Sequence, residues 1–494
     1  MSFPQALFST PSAFVRRGLD ALARTVDQVM PLTGARRRDA PDACRELSAL
    51  LTSRRDELAR PYWTSPRLTS AYLRYVLPWN LVRLTALLPG LPLDAPRPAA
   101  DEKTAPRQGG NPDEFLVFDL GSGPCTFPLA LWLARPDWRR RAVTVAATDS
   151  APHILDLGRR IFEALRAELD PASPWILRTW RAPLHAAPGQ LRGRPRLITL
   201  GNVLNELEER ERRGTSLRDT LATLLDNMAG LLAPGGRVLA VEPGTRQGGR
   251  LISTLRDMAL GRGMEPDEDE EPDMPLSAAN QAWDGNAHRF RVLAPCPHHE
   301  PCPMLARGVK AWCHVHAPAG AAPGALTELS RAAGLSKESV SLSFLCLERD
   351  GTARSAAAGR GAVSAGGADG SPRLRARVIS DAFVLPDMPG RARYACTEQG
   401  LALIPDAAFL PPGALCEVCP EPRTDAKSGA RIMTLPGRGT GADDQTARPD
   451  APRGRLREES RTAGRKRHTP TRASSAPSGR NDARQPRPRR PRPR

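Results

Sequence analysis

Four cysteines in the second half of the chain have the type and spacing for soft-metal chemistry. Cys296 and Cys302 lie in Ala-Pro-Cys-Pro-His-His-Glu-Pro-Cys-Pro-Met, Cys313 follows in Ala-Trp-Cys-His-Val-His, and Cys396 stands in Tyr-Ala-Cys-Thr-Glu-Gln-Gly. Thiolate is a soft ligand that selects zinc, Cu(I) or iron–sulfur clusters. Five residues separate the first pair and ten the second. That spacing is neither the Cys-x2-Cys of zinc ribbons nor a common ferredoxin run. Pro295, Pro297, Pro301 and Pro303 stiffen the loop, so little chain entropy is lost when a metal binds. Three loop cysteines and a distant fourth suit a [4Fe-4S] cluster or zinc. His298, His299, His314 and His316 are alternative zinc ligands. Cys416 and Cys419 form a true Cys-x2-Cys and are alternatives to Cys396 for the fourth place. Cys346, in Phe-Leu-Cys-Leu, reads as core.

A second constellation lies upstream. Asp119-Leu-Gly121-Ser122-Gly123 follows a short apolar strand and precedes a helix. Glycine there lets the backbone turn tightly and approach a ligand closely. A dinucleotide fingerprint would place glycine at 126, where this chain has Thr126, and an acid nearer than Asp149. The Asp-x-Gly-x-Gly form with a distant second-strand acid instead resembles class I S-adenosylmethionine methyltransferases. The resemblance implies that Asp119, Gly121, Ser122 and Gly123 hold the methionine part of S-adenosylmethionine and that Asp149 holds its ribose. Asn202 and Glu206, after the fourth strand, could line the same pocket, or cap a helix with Asn205. The Asn-Pro-Pro-Tyr type motif that holds a target nitrogen is absent. No cysteine pair stands out for pyrimidine C5 methylation, and Cys125 reads as a small apolar filler.

The elements that must position these residues are legible from periodicity. Residues 1–92 read as helical, with an interruption expected at Pro78. Residues 93–112 read as a proline-rich linker. Strands at 115–119, 143–149, 197–202 and 237–242 alternate with helices at 127–134, 152–169 and 217–232. That pattern predicts an α/β, doubly wound, Rossmann-like sheet over 113–289. Glu265–Asp273 is an acidic run expected to be a solvated loop. The cysteine-rich region spans 290–415, with a disordered low-complexity insert at 352–371.

The chain carries 71 Lys and Arg against 54 Asp and Glu, a net charge of +17. Residues 421–494 hold 20 of those basic residues and 8 of the acids. This Arg/Pro-rich segment has no apolar periodicity and is expected to be a disordered tail that attracts polyanions. Nine cysteines in 494 residues is no disulfide scaffold. No run of apolar residues predicts a membrane span, and the first residues lack a secretion signal. A cytoplasmic location is expected, with the mitochondrial matrix as the alternative.

Together, Pro-Cys-Pro-His-x-x-x-Cys-Pro with Trp-Cys-His behind Asp-x-Gly-Ser-Gly-Pro resembles the methyltransferase-like small-ribosomal-subunit assembly family. Tyr72-Leu-Arg-Tyr-Val-Leu-Pro78 resembles that family's helical entry. The resemblance covers residues 60–415. It implies that Cys296, Cys302, Cys313 and Cys396 hold an iron–sulfur cluster and that the partner is the small subunit and its rRNA. It leaves open an assembly factor without transfer, an active rRNA methyltransferase, and a zinc-bearing methyltransferase with another substrate.

Overall fold

The computed structural model describes residues 4–54, 62–93, 115–184, 186, 191–205, 216–261, 290–306, 309, 311–350, 372–385 and 390–437. The acidic run, the low-complexity insert, Glu206 and residues 438–494 lie outside them.

Four helices open the chain: α1 (Ala13–Val29), α2 (Gly34–Leu51), α3 (Pro66–Ala71) and α4 (Leu77–Leu87). Ser12, Thr33 and Ser65 cap the first three by accepting backbone N–H bonds. Pro78 does not break the helical run. A π-turn, Tyr72–Val76, joins α3 to α4, and Leu77 N–H donates five residues back to Tyr72 O. The wider turn accommodates a proline that lacks a donor and would crowd the carbonyl four residues before it.

The first sheet holds eight strands: β1 (Phe115–Leu120), β2 (Val143–Asp149), β3 (Ile176–Arg181), β4 (Leu197–Gly201), β5 (Arg237–Pro243), β6 (Phe290–Ala294), β7 (Val315–Pro318) and β8 (Ser339–Arg349). Their order is β3-β2-β1-β4-β5-β8-β6, with β7 also on β8. The first five run parallel, and β8 is antiparallel to its neighbours β5, β6 and β7. The order reverses between β1 and β4, the switch point at which doubly wound sheets bind ligands beyond their strand ends.

Helices α5 (Thr126–Ala134), α6 (Pro136–Arg139), α7 (Pro152–Leu169), α8 (Leu217–Leu231), α9 (Arg246–Ala259) and α10 (Gly324–Ala332) complete the layers. Strand alternation sorts the core. Val117, Leu239 and Val241 face one side with Leu19, Leu81, Trp132 and Phe162. Phe118, Val238 and Ala240 face the other with Leu225, Met228 and Leu255. The N-terminal helices therefore form part of one sheet-covering layer. Gly18 of α1 sits so close to α5 that a Cβ there would lie 2.3 Å from Leu133 Cδ2.

Six further strands follow: β9 (Leu374–Val378), β10 (Phe383–Val384), β11 (Arg391–Thr397), β12 (Gly400–Ile404), β13 (Leu415–Thr424) and β14 (Arg431–Thr434). Five of them close on themselves as β9-β11-β12-β14-β13-β9, with only β12 and β14 parallel. That is the strand order of an OB-type barrel. Ala376, Val378, Ala395, Ala402, Ile404, Val418 and Met433 fill its interior.

This barrel changes two expectations. The segment 290–415 is not one region, because β6, β7 and β8 complete the first sheet. Ordered structure also runs past residue 421: β13 extends through Thr424, and β14 buries Ile432 and Met433.

Candidate functional site

Two cavities hold the sequence-derived candidates. The first opens at the switch point. The β1–α5 loop contributes Asp119, Gly121, Ser122 and Gly123, the end of β2 contributes Asp149, and the end of β4 contributes Gly201, Asn202 and Val203. Gly121 and Gly123 have φ of +65° and +53°, and a Cβ on Gly121 would come within 2.5 Å of Val203 Cγ2. Both features demand glycine.

Asp119 is buried, and its carboxyl accepts from Ser122 Oγ and Thr199 Oγ1, each at 2.5 Å. Burial raises its pKa from 3.8 to about 7, against the pull of those two hydroxyls. It braces the loop from below. Asp149 Oδ2 accepts from Gly123 N at 2.9 Å and Oδ1 from Ala151 N at 2.9 Å. A carboxylate offers about four lone-pair sites, so capacity remains for ligand hydroxyls. Cys125 has φ of +58°, is fully buried, and its thiol is raised by burial. It packs with Ala147 and Leu155 and is no nucleophile in this state.

The roof of this cavity was not anticipated from sequence. Tyr62, Trp63, Tyr72, Arg83 and Leu84 of the N-terminal helical layer line it. Tyr62 stacks on Tyr72 at 5.8 Å, and Trp63 meets Tyr72 at 4.5 Å. Arg83 is 5% exposed and donates from Nη2 to Asn202 Oδ1 at 2.8 Å and from Nη1 to Ser341 O at 3.2 Å. Burial lowers its pKa to about 10. Asn202 itself has φ of +59°. The available sequence signal was the aromatic, Arg-bearing run from Tyr62 to Leu84, which reads as ordinary helix until its fold-back is seen.

The second cavity is lined by Cys296, Cys302, Cys313 and Cys396 together. The first three lie in the loop between β6 and β7, and Cys396 lies on the outer face of barrel strand β11. Cys302 and Cys396 pack with Met304 and Ile379, and Cys313 joins that cluster. Burial raises the thiols of Cys302, Cys313 and Cys396, and the neighbouring cysteines add to the shift. His298 Nε2 lies 3.2 Å from Cys396 Sγ. Among the described residues, no group of three or more His, Cys, Asp or Glu is arranged to hold a single metal ion.

The other candidates separate from this cavity. His299 Nε2 accepts from Val292 N at 3.2 Å. His314 and His316 lie against each other at 5.2 Å. Cys416 Sγ lies 3.8 Å from Ala376 O, and burial pushes the Cys416 thiol up to about 11. Cys419 is paired across β13–β14 with Thr434. Neither Cys416 nor Cys419 lines the cavity. Cys346 is fully buried in β8, its thiol raised to about 12.

The family described as mitochondrial small ribosomal subunit Rsm22 matches residues 111–358, half of the chain. The chain belongs to this family. The Rsm22 match begins just before β1 and ends just after β8, so it spans the first sheet and the cysteine loop but not the barrel.

Among solved structures, the chain is similar to TrmN from Thermus thermophilus, at 26% identity over 26% of this chain and 33% of that one, TM-score 0.19. It is also similar to an rRNA methylase from Streptococcus thermophilus, at 12% over 48% and 88%, TM-score 0.22. A third is CalS10, an amino pentose methyltransferase from Micromonospora echinaspora solved with S-adenosylmethionine, at 18% over 26% and 43%, TM-score 0.18. The chain spans a third of the Thermus protein's length. A search of curated proteins returns no match. The strand order, rather than these scores, identifies the α/β methyltransferase-like sheet. Among the described residues, no helix is long and apolar enough to cross a membrane.

Proposed function

We propose that this Rsm22-family chain is an assembly factor for the small ribosomal subunit. In this reading it holds S-adenosylmethionine under its aromatic roof and a [4Fe-4S] cluster in its four-cysteine cavity. It docks on small-subunit rRNA without transferring a methyl group. The observation that carries the reading is the convergence of Cys296, Cys302, Cys313 and Cys396 on one cavity. One member of that set comes from the barrel, about 80 residues beyond the others.

The donor set fits the cluster. Four thiols line one cavity, those of Cys302, Cys313 and Cys396 raised by burial and by neighbouring cysteines, and all four would give up their protons when a cationic core arrives. A cluster occupies a volume, so its thiolates line a cavity; a single zinc draws its ligands to a point. The cluster would act as a brace, clamping the barrel against the sheet.

The cofactor cavity also fits its proposed ligand. S-adenosylmethionine, when bound, supplies an activated methyl on a sulfonium. Gly121 and Gly123 bring the backbone close, Asp149 has capacity for ribose hydroxyls, and Trp63 and Tyr72 offer aromatic faces to a purine. Transfer to an amine would need an acceptor for the target's N–H beside the methyl. Asn202 Oδ1, the candidate acceptor, already gives one of its two lone pairs to the Arg83 guanidinium. This partial engagement weakens it as an acceptor and favours a platform over an enzyme.

The Rsm22 description names a mitochondrial subunit, which favours the mitochondrial matrix over the cytoplasm. The basic segment 421–494 would add salt-sensitive attraction to rRNA phosphates. Mapping rRNA methyl groups in cells with and without the protein tests the proposal. Unchanged methylation with immature small subunits accumulating is expected. Loss of one specific methyl group would establish the enzyme instead.

A further inference from the structure

Two arginines stand in the wall of the four-cysteine cavity, Arg256 from α9 and Arg377 from β9. They are 2% and 9% exposed. Arg256 Nε donates to Cys296 Sγ at 3.2 Å, and its Nη2 donates to His298 O at 3.0 Å and Glu300 O at 2.8 Å. Arg377 donates from Nε to Pro295 O at 2.8 Å and from Nη1 to Gly413 O at 2.7 Å. Cys296 is thus bracketed, its sulfur by one guanidinium and the carbonyl before it by the other.

Among the described residues, the charges in this wall do not balance. Asp257 pairs with Arg256, and its second oxygen accepts from Cys302 N at 3.1 Å. The hydrogen bonds of Arg377 among the described residues go to carbonyls alone. An unpaired buried cation is destabilising, and arginine does not escape that penalty by losing its proton. A cavity that retains two guanidiniums against one carboxylate is matched to an anionic occupant. An iron–sulfur core held by four thiolates is an anion.

We propose that Arg256 and Arg377 are the counter-charge of the cluster, stabilising its negative states and, through Arg377, tying the barrel to that charge. This rests on the cluster reading above. Nearby positive charge and N–H bonds to a ligating sulfur favour the reduced state over the oxidised one. Both arginines therefore hold the reduction potential above its value without them.

The test uses full-length protein purified anaerobically and reconstituted with iron and sulfide, as wild type, Arg256→Met, Arg377→Met and Arg377→Lys. Circular dichroism verifies folding. The Met variants should lose cluster to a chelator about 10- to 100-fold faster and show a midpoint potential shifted negative. Arg377→Lys keeps the charge but loses the two-pronged grip on Pro295 and Gly413, and it should restore most of both properties. Arg377→Met with wild-type potential and chelator rate would overturn the inference. So would Arg377→Lys behaving like Arg377→Met, which would mean bracing alone. A wild type that takes up no cluster would overturn the cluster reading together with this inference, whereas an intact wild-type cluster indifferent to Arg377→Met overturns this inference alone.

Discussion

At the scale of single residues, Asp119 shows how a loop motif works. Its carboxyl sits under the glycine loop, bonded to Ser122 and Thr199, and does its work by holding the loop's shape. Its folded pKa, about 7, lies above the unfolded 3.8. The stability linked to its proton is therefore present below about pH 4 and is lost as pH rises through 7. The wild type should lose up to roughly 4 kcal/mol across that window relative to Asp119→Asn, which cannot ionise. Denaturant melts of both proteins at pH 4, 5.5 and 7 measure the difference. Parallel curves would mean that Asp119 is ionised throughout.

Several residue roles were legible in the sequence. Gly121 and Gly123 declared themselves through the Asp-x-Gly-x-Gly pattern between strand and helix, and at Gly121 positive φ and the nearness of Val203 together leave room for glycine alone. Cys296 and Cys302 did so because thiols flanked by prolines have few other uses, while Cys313 and Cys396 joined them through the family resemblance. Arg83, Arg256 and Arg377 did not, since an arginine on a helix or strand looks solvated until the fold buries it.

At the scale of elements, the parallel strands were readable because both their faces are buried, leaving apolar runs such as Phe-Leu-Val-Phe. Strand β3 was not, because it lies at the sheet edge and mixes Arg178 and Arg181 with Leu177. The barrel was hidden for a related reason: its strands fill the interior with alanines, Ala376, Ala395 and Ala402 among them, which carry little strand signal. Proline misled in the other direction at Pro78, where a π-turn absorbs the conflict.

The cysteine loop joins these two layers of structure. Cys302→Ser should release the clamp between β11 and the β6–β7 loop. Hydrogen exchange should then quicken in residues 296–313 and 374–434 while the strands β1, β2, β4 and β5 keep their protection. Uniform loss of protection would mean that sheet and barrel unfold as one unit without any clamp.

At the scale of the whole molecule, the described structure is a methyltransferase-like sheet roofed by N-terminal helices, with a barrel held at the far side of a cysteine cavity. The sheet's cavity is enclosed by residues from both the sheet and the helical roof. The second cavity is completed only when β11 brings Cys396 to the loop. Each site therefore depends on the assembled fold. That account turns on what fills the cysteine cavity. Iron, zinc and acid-labile sulfide measured per chain on anaerobically purified full-length protein test it most directly. About four irons and about four sulfides are predicted, falling together in Cys302→Ser; about one zinc with no sulfide would contradict the account.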